Sequence, residues 1–194
     1  LAGNMGGING KHSSAFWGFV RILRAQGEAS PPLVMVENVP GWLHSNKGAD
    51  FRLTLQALNE LGYACDVFSM DALRFTPQSR LRVFLIGAKE PPSQDPLAIL
   101  ERPSSLLPRP VKEALLANSD LRWFDSGALP PPPLRHDGLA DIVEPMEDTD
   151  ERWWSEEEVK RHLAMMTESH YQRVAELIAK DIVSYRTFYR RIRN

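Results

Sequence analysis

The chain has 194 residues, 43% hydrophobic and 25% charged, with 23 Lys and Arg against 25 Asp and Glu for a net charge of -2. These values match an ordinary globular protein of one domain or little more and exclude a wholly disordered or collagen-like chain; the totals show no strongly basic nucleic-acid arm, and a local basic patch stays open. No run of about 18 apolar residues is present, which excludes a membrane-spanning helix. A single cysteine, Cys65, excludes an internal disulfide and a multi-cysteine zinc site, and a cytoplasmic location is expected. The chain opens Leu1-Ala2-Gly3 without an initiator Met, so a piece cut from something longer, with no signal peptide, is expected.

Gly3, Gly6, Gly7 and Gly10 predict an opening loop with the mobility of a lid, though a plain loop is the better reading of glycines alone. Ser13 or Ser14 can cap a helix running to about Arg24, with Phe16, Phe19, Val20 and Leu23 on one face. Leu33-Val34-Met35-Val36 is short, wholly apolar and rich in β-branched residues, which predicts a strand buried on both sides. Asp50 to Leu61 predicts a helix with Leu53, Ala57, Leu58 and Leu61 inward and Gly62 closing it. Tyr63 to Met70 and Leu81 to Ile86 predict two more strands, the last ended by Gly87. Strands alternating with helices predict an α/β fold, a Rossmann-like, doubly wound and mostly parallel sheet, here incomplete.

Ten of the 15 prolines fall between Pro91 and Pro133. Residues 1–90 therefore read as α/β structure and 91–150 as a proline-rich linker or insertion, with Pro130 to Pro133 extended. Residues 151–194 read as a helical segment. Ser155 with Glu158 forms a capping box, and Thr167 restarts a second helix carrying Tyr171, Val174, Leu177 and Ile178. Asp141 to Glu158 holds nine acids and one arginine, whereas the last ten residues hold Arg186, Arg190, Arg191 and Arg193 and no acid.

Two stretches carry chemistry. Glu37-Asn38-Val39 sits at the carboxyl end of the first strand, where ligands gather in open parallel sheets. A glutamate there can serve as an acid or base, or simply pair with an arginine. In Gln78-Ser79-Arg80-Leu81-Arg82, the residues Gln78, Arg80 and Arg82 alternate and would share one strand face. Two arginines on one buried face need an anionic or polar partner; a solvent-facing edge strand answers the pattern equally well. His12, His44, His136, His162 and His170 lack metal-ligand spacing. Trp153-Trp154 can stack on bases, but a helix-docking anchor is the stronger reading. Cys65 reads as a core thiol.

Taken in order, Val36-Glu37-Asn38-Val39, Leu58-Asn59-Glu60-Leu61-Gly62-Tyr63, Asp71-Ala72 and Thr76-Pro77-Gln78-Ser79-Arg80-Leu81-Arg82-Val83-Phe84-Leu85-Ile86-Gly87 resemble the central part of the bacterial DNA cytosine-5 methyltransferases. The family's Glu-Asn-Val and Gln-x-Arg-x-Arg motifs are both intact. Leu1 to Ser13 resembles the loop after the family's Pro-Cys nucleophile. Trp154 to Asn194 resembles the approach to the target-recognition domain.

The resemblance implies the fold and the chemistry. A thiolate adds to C6 of a cytosine flipped out of duplex DNA, and C5 takes a methyl group from S-adenosylmethionine. Glu37 matches the glutamate that meets N3 and the exocyclic amine. Arg82 matches the arginine on O2, and Arg80 is carried with it as catalytic. Asn38 and Gln78 match base-binding or supporting positions. No cofactor-binding or metal-binding residue is assigned. The nucleophile is expected just before Leu1 and the Phe-x-Gly-x-Gly cofactor loop further upstream, so the chain alone is expected to be inactive. Two alternatives stand beside this: a noncatalytic or split subunit needing a complementing chain, and a related RNA cytosine-5 methyltransferase. Restriction protection and regulation are both compatible roles, at the nucleoid when DNA is bound.

Overall fold

The computed structural model describes residues 14–91, 98–127, 130–135, 138–147 and 149–180. The glycine-rich opening and the basic last ten residues lie outside the described residues. The described chain forms two compact units, divided after Arg135.

The first unit opens with α1 (Ser14–Gln26), which buries Val20 and Leu23 and half-buries Phe16 and Phe19, the expected face. β1 (Leu33–Asn38) leads through tight turns at Pro40–Gly48 into α2 (Ala49–Glu60). Gly62 takes φ +88° to end that helix, a conformation that costs glycine least. β2 (Ala64–Asp71) and β3 (Leu81–Ala88) follow.

The sheet order is β1-β3-β2, and β3 is antiparallel to both neighbours. The expectation of a mostly parallel sheet therefore does not hold for the three described strands. β1 and β2 do run the same way, as a strand–helix–strand crossover through α2 requires. They are not hydrogen-bonded to each other, because β3 returns between them. A short loop from β2 to β3 forces that antiparallel return; the sequence pattern registers alternation of elements but not the insertion of one strand between two others.

Alternation along the strands divides the sheet into two faces. Val34, Cys65, Val67, Val83 and Leu85 face a core completed by Phe51, Leu55 and Leu58 of α2. The helix thus presents residues 51, 55 and 58 inward with Ala57, whereas Leu53 is 38% exposed, contrary to the expected face. On the opposite face lie Leu33, Met35 and Glu37 of β1, Phe68 and Met70 of β2, and Arg82 and Phe84 of β3. Leu33 and Met35 are each 63% exposed, so β1 is not buried on both sides. β1 is an edge strand of this sheet, and among the described residues nothing covers that end of its second face.

The proline-rich stretch contributes to the fold itself. α3 (Arg109–Leu116) buries Val111 and Leu115, and Ile99, Leu107 and Trp123 join the same core. The free edge of β2 is closed by backbone bonds from Cys65 N–H to Arg122 O at 2.9 Å and from Phe124 N–H to Cys65 O at 2.9 Å. Arg102 reaches in to grip buried Asp66 with two hydrogen bonds of 2.8 and 2.7 Å, and also pairs with Asp125. Proline spacing hides this because the prolines sit at the turns and helix starts, not inside the packed segments.

The second unit holds α4 (Glu156–Ala164) and α5 (Glu168–Ile178). Ser155 and Glu158 form the reciprocal capping box that the sequence predicts. Arg152 ties Asp150 and Glu144, and Trp154 stacks on His162 with ring centres 4.0 Å apart. Among the described residues no helix is long and apolar enough to cross a membrane.

Candidate active site

The site is built where β1 and β3 pair. Glu37 lies opposite Phe84, which puts it diagonally beside Arg82 on one face. Arg82 Nε donates to Glu37 Oε1 at 2.8 Å, and Arg82 Nη1 donates to Leu81 O at 2.8 Å. The Arg82 side chain is 21% exposed and the Glu37 side chain 48%. The pair is therefore open to a ligand from the uncovered side of the sheet. Beside it on the same face Phe84 stacks on Phe68, with ring centres 5.4 Å apart and planes within 17°. A carboxylate, a guanidinium and a flat apolar surface can together recognise a planar ring carrying both donors and acceptors.

The other expected residues are placed differently. Asn38 alternates to the face opposite Glu37, and its Oδ1 accepts from the Val39 N–H at 2.9 Å. It shapes the exit from β1. Gln78 and Arg80 do not share a strand face with Arg82: β3 begins at Leu81, and both precede it in an exposed loop. Pro77 lacks an N–H, and the Arg80 N–H is taken by Asp71 instead of a strand neighbour.

Asp71, in the sequence only a part of the family resemblance, has a role here that the sequence reading does not assign. It ends β2 opposite Leu81. Its Oδ1 accepts from Leu73 N–H at 3.0 Å and Arg80 N–H at 2.7 Å, and its Oδ2 accepts from Ser79 Oγ at 2.9 Å. The signal available was an aspartate at a strand end followed by a turn, a pattern in which the side chain commonly bonds the backbone beyond it. The far side of the loop is braced by the proline segment: Arg74 Nη1 donates to Pro132 O, and Arg135 Nη1 to Phe75 O at 2.7 Å.

Cys65 is fully buried in the core of the sheet. Burial, then the neighbouring Asp66 charge, pushes its thiol up to about 12. A thiol held protonated and out of contact with solvent is no nucleophile. Among the described residues no group of three or more His, Cys, Asp or Glu is placed to hold a metal ion.

The family model for C-5 cytosine-specific DNA methylase matches residues 1–191, nearly the whole chain. The chain belongs to that family. Its curated relatives include Type II methyltransferase M.AgeI of Thalassovita gelatinovora, 30% identical over 128 residues, or 66% of this chain and 27% of that protein. Type II methyltransferase M.Sau3AI of Staphylococcus aureus is 35% identical over 88 residues, 43% of this chain and 21% of that protein. The orphan methyltransferase M.SPRI of Bacillus phage SPR is 30% identical over 91 residues, 46% of this chain and 20% of that protein. The chain thus matches between a fifth and roughly a quarter of the length of these relatives.

Proposed function

We propose that this chain carries the base-binding wall of a DNA cytosine-5 methyltransferase, with double-stranded DNA as substrate and S-adenosylmethionine as methyl donor. The observation that supports it is the Glu37–Arg82 pair, two motif residues 45 positions apart in sequence that meet at 2.8 Å on the open face. In the reaction a thiolate adds to C6 of a cytosine turned out of the duplex. One Glu37 oxygen carries the proton shared with N3, and the other accepts from the exocyclic amine. Arg82 donates to O2, where negative charge gathers as C6 is attacked. C5 is then electron-rich, the state that methyl transfer requires.

The methyl donor supplies an electrophilic methyl group when bound. None of the described residues is assigned to hold it. The glycine of β3, Gly87, is closed off: a Cβ there would meet Val34 Cγ2 at 2.8 Å and Tyr63 Cβ at 3.2 Å. The attacking thiol is also not Cys65. The reading is tested by covalent capture. The full gene product, mixed with S-adenosylmethionine and a duplex carrying 5-fluorocytosine, is expected to form a denaturant-stable adduct. Failure to form one, or methylation of transfer RNA in preference to duplex DNA, would reject the reading.

A further inference from the structure

We infer that Asp71 is a positioning residue for the arginine side of the site, fixing the loop that leads through Arg80 into β3 and so sets Arg82. The inference rests on the methyltransferase reading and adds to it a residue that touches no base.

Three groups converge on one carboxylate: the Leu73 and Arg80 N–H groups and the Ser79 hydroxyl. They span both ends of the loop between β2 and β3. Ala72 N–H adds a bond to Arg80 O at 3.2 Å, so residues 72 and 80 are tied by backbone as well. Arg82 lies two residues beyond the last group held. Its Nη1 is itself anchored on Leu81 O, so its reach toward Glu37 depends on where the chain enters β3. Without the clamp, the loop keeps the Ala72–Arg80 backbone bond, the turn bonds to Ala72 O and the Arg74 and Arg135 braces near Phe75. Leu73, Ser79 and the Arg80 N–H then lose their shared anchor, and the entry to β3 is held less firmly. A displacement of an ångström at a charged group in a reacting site is enough to cost about a hundredfold in rate.

The test compares Asp71→Ala and Asp71→Asn in the full gene product. Asparagine keeps the Oδ1 acceptor for both N–H groups and can donate to the Ser79 oxygen; alanine keeps nothing. Asp71→Ala is expected to lower kcat roughly 10- to 100-fold with KM for duplex DNA nearly unchanged. Hydrogen exchange across residues 71–82 should speed up in the same variant. Asp71→Asn should restore most of both. Should Asp71→Ala fail to fold, Asp71→Ser, which retains one acceptor, is read the same way. Wild-type protein that methylates, with the alanine variant at full kcat or the asparagine variant no better than alanine, overturns the positioning role alone. Wild-type protein that neither methylates nor traps 5-fluorocytosine overturns the site reading, and the inference with it.

Discussion

Glu37 and Arg82 satisfy each other at 2.8 Å, and in the proposed reading a bound base enters between or beside them. The two are not equivalent in that exchange. Glu37→Gln keeps shape and hydrogen bonding but removes the transferable proton, so turnover in the full gene product should fall by roughly the 10²–10⁴ of a general acid–base group, with base binding less affected. Arg82→Ala removes a charge-assisted contact and should weaken both. Steady-state kinetics together with fluorocytosine trapping separate these outcomes; equal loss of kcat and affinity in both variants would contradict the assigned roles. Asp71 adds a pH signature. Burial alone would raise its carboxyl, but bonds from Leu73, Arg80 and Ser79 and the nearby Arg74 charge hold it below the usual carboxylate range. A carboxyl lowered on folding contributes stability that is complete above its unfolded value, about 3.9, and is lost as pH falls through the lower folded value. Wild type should therefore exceed Asp71→Asn in stability at neutral pH, and the gap should close in acid. Urea midpoints at pH 7 and at about pH 3 check this; a gap that widens in acid would reverse the sign.

Among the elements, the strands and helices of the first 90 residues were legible because each carries its own periodicity and its own terminator. Gly62 at φ +88° and the Ser155–Glu158 box stand where the sequence places them. Two kinds of information were not local. Which strand lies between which depends on how a short loop returns, and so the antiparallel β3 escaped a pattern that sees only alternation. Residues 99–124 are spaced by prolines, yet their buried side chains complete the core of a sheet whose last strand ends at Ala88. The candidate site was legible in part: Glu37 and Arg82 stood out by type and motif, whereas an aspartate at a strand end signals only that it bonds the turn beyond it, not that Ser79 and Arg80 return to it from the far end of the loop. Arg102 shows how firmly the proline-rich stretch is joined to the sheet. Its side chain is 4% exposed and Asp66 is fully buried. Burial alone would lower its guanidinium, but Asp66 and Asp125 hold it above the ordinary value. Arg102→Ala leaves Asp66 buried without a counter-charge and should cost about 3–5 kcal/mol in urea unfolding. A loss below about 1 kcal/mol, within the range of an exposed pair, would mean that water replaces the guanidinium and that the join is looser than the geometry implies.

For the whole molecule, the proposed base-binding wall stands in a chain whose single thiol is the buried Cys65. Its sequence holds one cysteine, and that residue lies in β2 on the core side of the sheet, while Glu37 and Arg82 face the other way. No loop motion short of unfolding the sheet carries Cys65 to the open face. The purified 194-residue chain should therefore transfer no tritium from S-adenosylmethionine to duplex DNA. Cys65 should resist alkylation under native conditions, because burial and the Asp66 charge hold it as the thiol to about pH 12. In urea it should label freely. A polypeptide that supplies both a solvent-facing thiol beside Glu37 and a site for the methyl donor should restore transfer, and Cys65→Ala in that setting should leave it intact while costing at most a few kcal/mol of stability. Turnover by the 194-residue chain alone, lost on Cys65→Ala with the fold preserved, would move the nucleophile to β2 and dismantle the site proposed on the opposite face.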